Sequence, residues 1–403
     1  MKLKHSSLFF IFLLIGHHAM GQVSFSSKDS LPERMKQIIL ETSSRLFHDP
    51  AFPRFIMADK SGKYVFGVLG YVGATAYYDG GGNAGVDFIN ADIDLQGRHD
   101  KDRFGITMAY TRLGFKMIGD LKAGRIVTYI ETDFKGNNNS LRLRQAYIQF
   151  RGLTIGQGWS SFTDMETPTT IDGEGPPGMA SNRLPQIKYK FTLPKNFSLS
   201  VALEVPEVTA TYNDQVVEFK ERFPDIPVVL GYDSKKLHLM AGYAVRILRY
   251  KDMERSVNKQ LGRTVLFAAG YKFTPKDNVY GQFVHAAGMV DHIQDMGWGL
   301  DMIVAPDGKS YNITKGYGYC FSYQRLWDEK SESNIMFSQT FLKGTGGLYP
   351  TMYHKTNYFA VNYIRKFFTY GTAGVEFIYG TLHNSRQDVG TNFRINLLMR
   401  YDF

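Results

Sequence analysis

The chain has 403 residues, with 47 basic against 38 acidic side chains and a single cysteine, Cys320. That length exceeds one ordinary soluble core but suits one large barrel, and a lone cysteine excludes an internal disulfide. Aromatic residues at 14% and a mean hydropathy of -0.25, without long apolar runs, argue for a sheet over a helical membrane bundle; the basic surplus, seven once Lys2 and Lys4 are set aside, points to anionic partners, with no nucleic acid expected among them.

Residues 1–21 read as a secretory signal peptide. Lys2 and Lys4 give the positive start, 8–15 the apolar stretch, and Ala19 and Gly21 the small residues before cleavage at Gln22. The apolar stretch is far short of the roughly 20 residues that a spanning helix requires. Residues 22–62 lack alternation and read as a periplasmic N-terminal segment. Met35, Ile39, Thr42 and Leu46 would share one side of a short helix over 35–47, making a coiled element or a small plug; without that helix the segment is a flexible lead-in tail.

From 63 to 403 the pattern has period two. Phe197, Leu199, Val201, Leu203 and Val205 oppose Ser198, Ser200, Ala202 and Glu204, and Val265, Phe267, Ala269, Tyr271 and Phe273 oppose Leu266, Ala268, Gly270 and Lys272. One face is bulky and apolar while the other mixes Gly, Ala and ionisable groups, which suits lipid outside and a wet lumen inside. A soluble sandwich is the alternative. Long linkers at about 80–103, 135–140, 160–183, 206–226, 251–262, 288–312, 344–356 and 383–390 alternate with short turns near 118–121, 151–152, 193–196, 233–236, 274–277, 328–333 and 369–371. Fifteen connections give about 16 strands: an all-β, transmembrane antiparallel β-barrel with short periplasmic turns, long outer loops and both ends in the periplasm of a Gram-negative cell.

Aromatic residues crowd the short-turn side at Phe191, Phe197, Phe273, Phe367, Phe368 and Tyr370, as an interfacial girdle does. The last strand sets Phe393, Ile395, Leu397, Met399, Tyr401 and Phe403 against Arg394, Asn396, Arg400 and Asp402. A terminal Phe closing such a strand is the expected contact for the barrel-insertion machinery, and the outer wall is expected to meet the bilayer and lipopolysaccharide.

The same alternation nominates pore-lining residues. Glu131 and Asp133 face inward opposite the outward Ile130 and Thr132, and Arg142 and Arg144 alternate with Leu141 and Leu143. Paired guanidinium forks hold a carboxylate bidentately; equally, the two acids neutralise the two arginines. Tyr147 and Phe150 break the alternation, so a bulge is expected in this strand. Lys188 and Lys190 point inward beside Ile187, Tyr189 and Phe191, either with an anion between them or paired to carboxylates. The third long linker, 160–183, carries Asp164, Glu166, Asp172 and Glu174 after Trp159. Folded into the barrel it makes a constriction whose acids oppose the basic wall; left outside it is a solvated loop.

No G-x-S-x-G elbow or H-E-x-x-H helix occurs, and His238, His285 and His292 surround no evident nucleophile. The chain is therefore read as no enzyme, without metal or cofactor. The competing functions are a receptor or adhesin acting through outer loops, and an outer-membrane hydrolase with a spatially assembled site.

Several segments resemble the DcaP-like outer-membrane porins: Glu131-Thr132-Asp133-Phe134, Leu141-Arg142-Leu143-Arg144-Gln145-Ala146-Tyr147, Gly156-Gln157-Gly158-Trp159-Ser160-Ser161-Phe162, and Arg183-Leu184-Pro185-Gln186-Ile187-Lys188-Tyr189, with Phe66-Gly67-Val68-Leu69-Gly70-Tyr71-Val72 in the first strand. The resemblance is dense from about 64 to 191. It implies a homotrimer of 16-stranded barrels for passive diffusion of small anions such as dicarboxylates, with Arg142, Arg144 and Arg183 as the selective groups. Gln145 stands where the family carries a basic residue or His, and the N-terminal segment is shorter than the family's coiled-coil extension.

Overall fold

The computed structural model describes residues 47–48, 50, 55–59, 63–81, 85–95, 102–211, 222–251, 256–296, 300–305, 310–343 and 353–403, and the backbone of 24–26 and 218–219. The expected signal peptide and nearly all of the expected helix over 35–47 lie outside the described residues.

Sixteen strands form one closed antiparallel wall. They are β1 (Tyr64–Gly80), β2 in two segments (Arg103–Thr107 and Arg112–Leu121), β3 (Gly124–Asp133), β4 (Arg142–Phe150), β5 (Leu153–Trp159), β6 (Arg183–Thr192), β7 (Phe197–Glu204), β8 (Ile226–Asp233), β9 (Leu237–Lys251), β10 (Val257–Lys272), β11 (Asp277–Ala287), β12 (Lys315–Leu326), β13 (Ser331–Lys343), β14 (Tyr353–Phe367), β15 (Gly371–Asn384) and β16 (Val389–Asp402). Closure comes from β16 on β1, in register from Phe393 opposite Gly80 to Asp402 opposite Tyr71. With no edge in the spanning wall, each backbone group there finds a partner inside the sheet, which a lipid environment requires. At the lower end of this seam Gly70 exchanges backbone hydrogen bonds with Phe403. A Cβ on Gly70 would meet the Phe403 ring at 2.7 Å and the Arg112 carbonyl at 2.3 Å, so only glycine admits the terminal ring there. Below Phe403 the short strand Phe55–Ala58 takes over as the neighbour of β1, pairing with Val65 to Val68.

Two sequence readings shift. The first short turn is not 118–121: β2 continues to Leu121, which pairs with Gly124 around a two-residue turn at Lys122 and Ala123. Gly119 looked like a turn residue but lies in the strand, where the Tyr64 and Ile126 side chains cross its face. The linker expected at 251–262 is also shorter, because β9 and β10 pair out to Lys251 opposite Val257. The alternation was masked there by polar residues on both faces, as strands that rise above the bilayer allow.

The outward positions are the exposed apolar ones, such as Phe267, Leu261, Phe321 and Leu397. The lumen is unequal. Along β9 to β15 the inward residues include Met240, Leu266, Val284, Met336, Leu342 and Ile378, all buried, and loops fold in to cover them. Phe88 and Ile93 come from the first long loop, Phe162, Met179 and Ala180 from the third, and Met289, Val290 and Ile293 from the sixth. Covering this apolar half of the lumen is what draws those loops inside. The other half, lined by β1 to β4 and β16, carries the buried charges Asp79, Arg112, Glu131, Asp133, Arg144 and Arg394, with a small apolar cluster of Ile56, Val65, Ile118 and Val127 at one end.

Candidate functional site

The third loop crosses the lumen and is fastened to the far wall at intervals. At its start Glu204 of β7 accepts from Ser160 Oγ and the Ser161 amide, both at 2.8 Å. The Phe162 ring then lies on Gly242 of β9, where a Cβ would sit 2.9 Å from it. Asp164 accepts from Tyr280 Oη at 3.0 Å and stands 3.1 Å from His238 Nε2. At the tip the buried carboxylate of Glu376, on β15, accepts from the amides of Ile171 at 2.9 Å and Asp172 at 2.7 Å. On the return, Ala180 donates to Gln282 of β11 at 2.6 Å, and Gly178 packs its backbone on Gly318 of β12. The sixth loop adds reciprocal bonds between Gly178, Met179 and Gln294, and the first loop donates the Phe88 amide to Asp172 at 2.9 Å. So the loop lies inside the barrel, held against β9 to β15, and the passage is narrowed to the side of β2 to β6.

On that side a charge cluster is built by three neighbouring strands. Arg142 holds Asp133 with both fork nitrogens, at 3.0 and 2.6 Å. Arg144 bridges Glu131 at 2.6 Å and Asp133 at 3.0 Å, and Arg112 of β2 stands 3.3 Å from Glu131. Tyr129 Oη also donates to Glu131, at 2.7 Å. The bulge expected in β4 is at Arg144, where the pairing with β3 skips from Gln145 opposite Glu131 to Leu143 opposite Thr132. It turns Arg144 and Gln145 to the same side, and both are buried. Three guanidinium groups thus share two carboxylates, and the cluster keeps one positive charge in excess.

The remaining candidates fall in three groups. Arg183 shares the register of outward Ile187, but as the first residue of β6 it turns its guanidinium over the Trp159 ring, 4.8 Å from the centroid. Arg144, Arg112 and Arg142 lie within electrostatic reach of it. Arg183 Nη1 and Trp159 Nε1 are both buried without a hydrogen-bond partner among the described residues. Lys188 donates to the Trp159 carbonyl at 3.1 Å with the Glu204 carboxylate within electrostatic reach, and Lys190 borders a cavity of about 350 Å³ with Glu166, Asp233 and His238. Of the loop acids, Asp164 and Asp172 are turned to the far wall and the loop interior. Glu174 has Lys135, Arg183 and Arg142 around it, and so stands opposite the arginines of this wall. A cavity of about 100 Å³ separates loop from wall, bordered by Arg112, Arg144, Trp159, Asp164, Glu174 and His48.

Arg112, Arg400, Glu376 and His48 were not nominated from the sequence. Arg112 had a usable signal, an arginine on the inward register of β2. Glu376 had only a weak one, a lone carboxylate in an otherwise apolar strand.

The family model described as DcaP outer membrane protein matches residues 54–403. The outer membrane channel DcaP of Acinetobacter baumannii is similar in structure, with a TM-score of 0.75 at 20% identity over 86% of this chain and 99% of that one. An anion-selective porin from Comamonas acidovorans follows at TM-score 0.58 and 13% identity, over 84% and 100% of the two chains. The OmpF of Salmonella typhi in complex with daunomycin gives 0.55 and 11%, over 85% and 98%. No curated protein sequence matches the chain.

Proposed function

The chain belongs to the DcaP outer membrane protein family and is a porin channel of a Gram-negative outer membrane, not an enzyme, and on that premise we propose that its pore passes small anions by diffusion, dicarboxylates among them. The observation that carries this reading is the wall opposite the third loop: three guanidinium groups on two carboxylates, beside the buried donors Arg183 Nη1 and Trp159 Nε1, which have no acceptor among the described residues. The excess of positive charge on this wall favours the entry of anionic over cationic solutes. Arg142 and Arg144 are paired with Asp133 and Glu131, so they are not bare anion ligands. They act instead as a fixed frame whose one excess charge, with Arg183, sets the sign of the passage. Glu174 on the loop supplies the opposing charge that orients a dipolar solute.

Further parts of the reading rest on composition and placement. Residues 1–21 serve as the signal peptide, the barrels assemble as homotrimers, Phe403 at the seam is the handle for the insertion machinery, and the outer loops lie among lipopolysaccharide. Swelling of proteoliposomes tests the solute class: succinate is expected to enter several-fold faster than a diamine of equal size, and Arg183→Ala to narrow the gap. Equal entry of both would contradict the anion reading and leave the channel itself standing.

A further inference from the structure

Before the wall begins, Phe47, His48 and Pro50 lie inside the barrel at the level of the third loop. Arg400 Nη1, on β16, donates to the Phe47 carbonyl at 2.6 Å. Tyr71 Oη, on β1, donates to the His48 carbonyl at 3.2 Å. His48 Nε2 lies 3.2 Å from the Asp172 carbonyl of the third loop, a contact the imidazole makes as donor. The rings are seated too. Phe47 lies 5.3 Å under the Arg400 guanidinium and packs edge-on to His48, whose ring stands 6.2 Å from that of Tyr110. Pro50 is buried. Ile56, on the short strand Phe55–Ala58, then packs on Val65, Ile118 and Val127 at the periplasmic end.

These contacts have a direction. The pair bridges β1, β16 and the tip of the third loop, so it stands between that loop and the adjoining wall. Its carbonyl oxygens take hydrogen bonds from Arg400 and Tyr71, donors that a solute carboxylate would otherwise meet. His48 is uncharged there: burial first, then Arg112, Arg400 and Arg144, hold its pKa well below the usual imidazole range. Phe47 and His48 border the cavity of about 100 Å³ between the third loop and the wall, together with Arg112, Arg144 and Glu174.

We propose that Phe47 and His48 form a resident plug, which occupies the acceptor positions of the passage and must withdraw for full conductance. Withdrawal breaks no strand pairing of the wall, since the seat is made by side chains of β1 and β16 and one carbonyl of a loop. The proposal rests on the chain being a channel and not on which ions it prefers. Conductance therefore reads the plug, and the reversal potential reads the selectivity.

The test is single-channel recording of the full chain in a planar bilayer of defined phospholipid in potassium chloride. Substituting both Phe47→Gly and His48→Gly is expected to raise the main conductance level at least twofold. Tyr71→Phe removes one hydrogen bond and leaves the wall intact. It is expected to make excursions to that higher level at least threefold more frequent, and it keeps the proposal testable where the glycine pair fails to insert. Wild-type conductance in the glycine variant, or wild-type excursions in Tyr71→Phe, would overturn the plug.

Discussion

Replacing Glu376 by Ala should free the tip of the third loop. The carboxylate accepts the amides of Ile171 and Asp172 at 2.9 and 2.7 Å, and Asn362 Nδ2 at 3.0 Å besides. A hydrogen bond to a charged group nets about 1.5–3 kcal/mol, so the two backbone bonds together fasten the loop by about 3–6 kcal/mol. At about 1.4 kcal/mol per factor of ten, even the lower bound shifts the docked-to-released ratio by more than about a hundredfold. The wall should survive, because every ladder bond of β15 is made by backbone. In single-channel recordings Glu376→Ala is expected to give a larger and noisier conductance, with heat-modifiable gel migration unchanged. Glu376→Gln, which keeps one acceptor for one amide, should fall between. Wild-type conductance and noise in Glu376→Ala would refute the claim that this contact holds the constriction.

Two further outcomes follow from the same loop. Gly318→Ala places a Cβ 2.4 Å from the Gly178 Cα, and backbone cannot yield as a flexible side chain does; the loop must move off β12, and conductance should change by a factor of about 1.5 or more with folding retained. The pH response follows from Asp172, whose carboxyl is pushed from the usual 3.8 up to about 7, chiefly by burial and then by Asp87. A carboxyl with a raised pKa favours the docked loop below about 4, and that contribution is lost as pH rises through 7. Open-channel noise should therefore grow from pH 5 to pH 8, and Asp172→Asn should flatten the trend; a flat wild-type profile would count against the assignment.

The strand count was legible because its signals are local. Alternation needs only neighbouring residues, and linker parity needs only their lengths. The displaced first turn shows the limit of such signals, since Gly119 serves a side-chain crossing in the strand while Lys122 and Ala123 carry the reversal. The bulge at Arg144 was readable from the broken alternation after it. The docking of the third loop was not readable, because its partners Glu376, Gln282 and Gly318 stand 100 or more residues away in the chain. One trace of it was present: Met240, Leu266, Val284 and Ile378 are large apolar residues on the inward register of β9, β10, β11 and β15, and a bare wet lumen has no use for them. The acids Asp164 and Asp172 were placed in the correct loop, but their wall partners are His238 and Tyr280 on β9 and β11 and Arg394 on β16, in place of Arg142, Arg144 and Arg183.

A loop-narrowed passage keeps an excess of positive charge on the wall of β2 to β6. The reversal potential of the wild-type channel under a tenfold potassium chloride gradient tests it most directly. The expected potential has the sign that marks chloride as the more permeant ion, and is reduced in Arg183→Ala and reversed or abolished in Arg144→Glu. A potassium-selective potential in the wild type would contradict it.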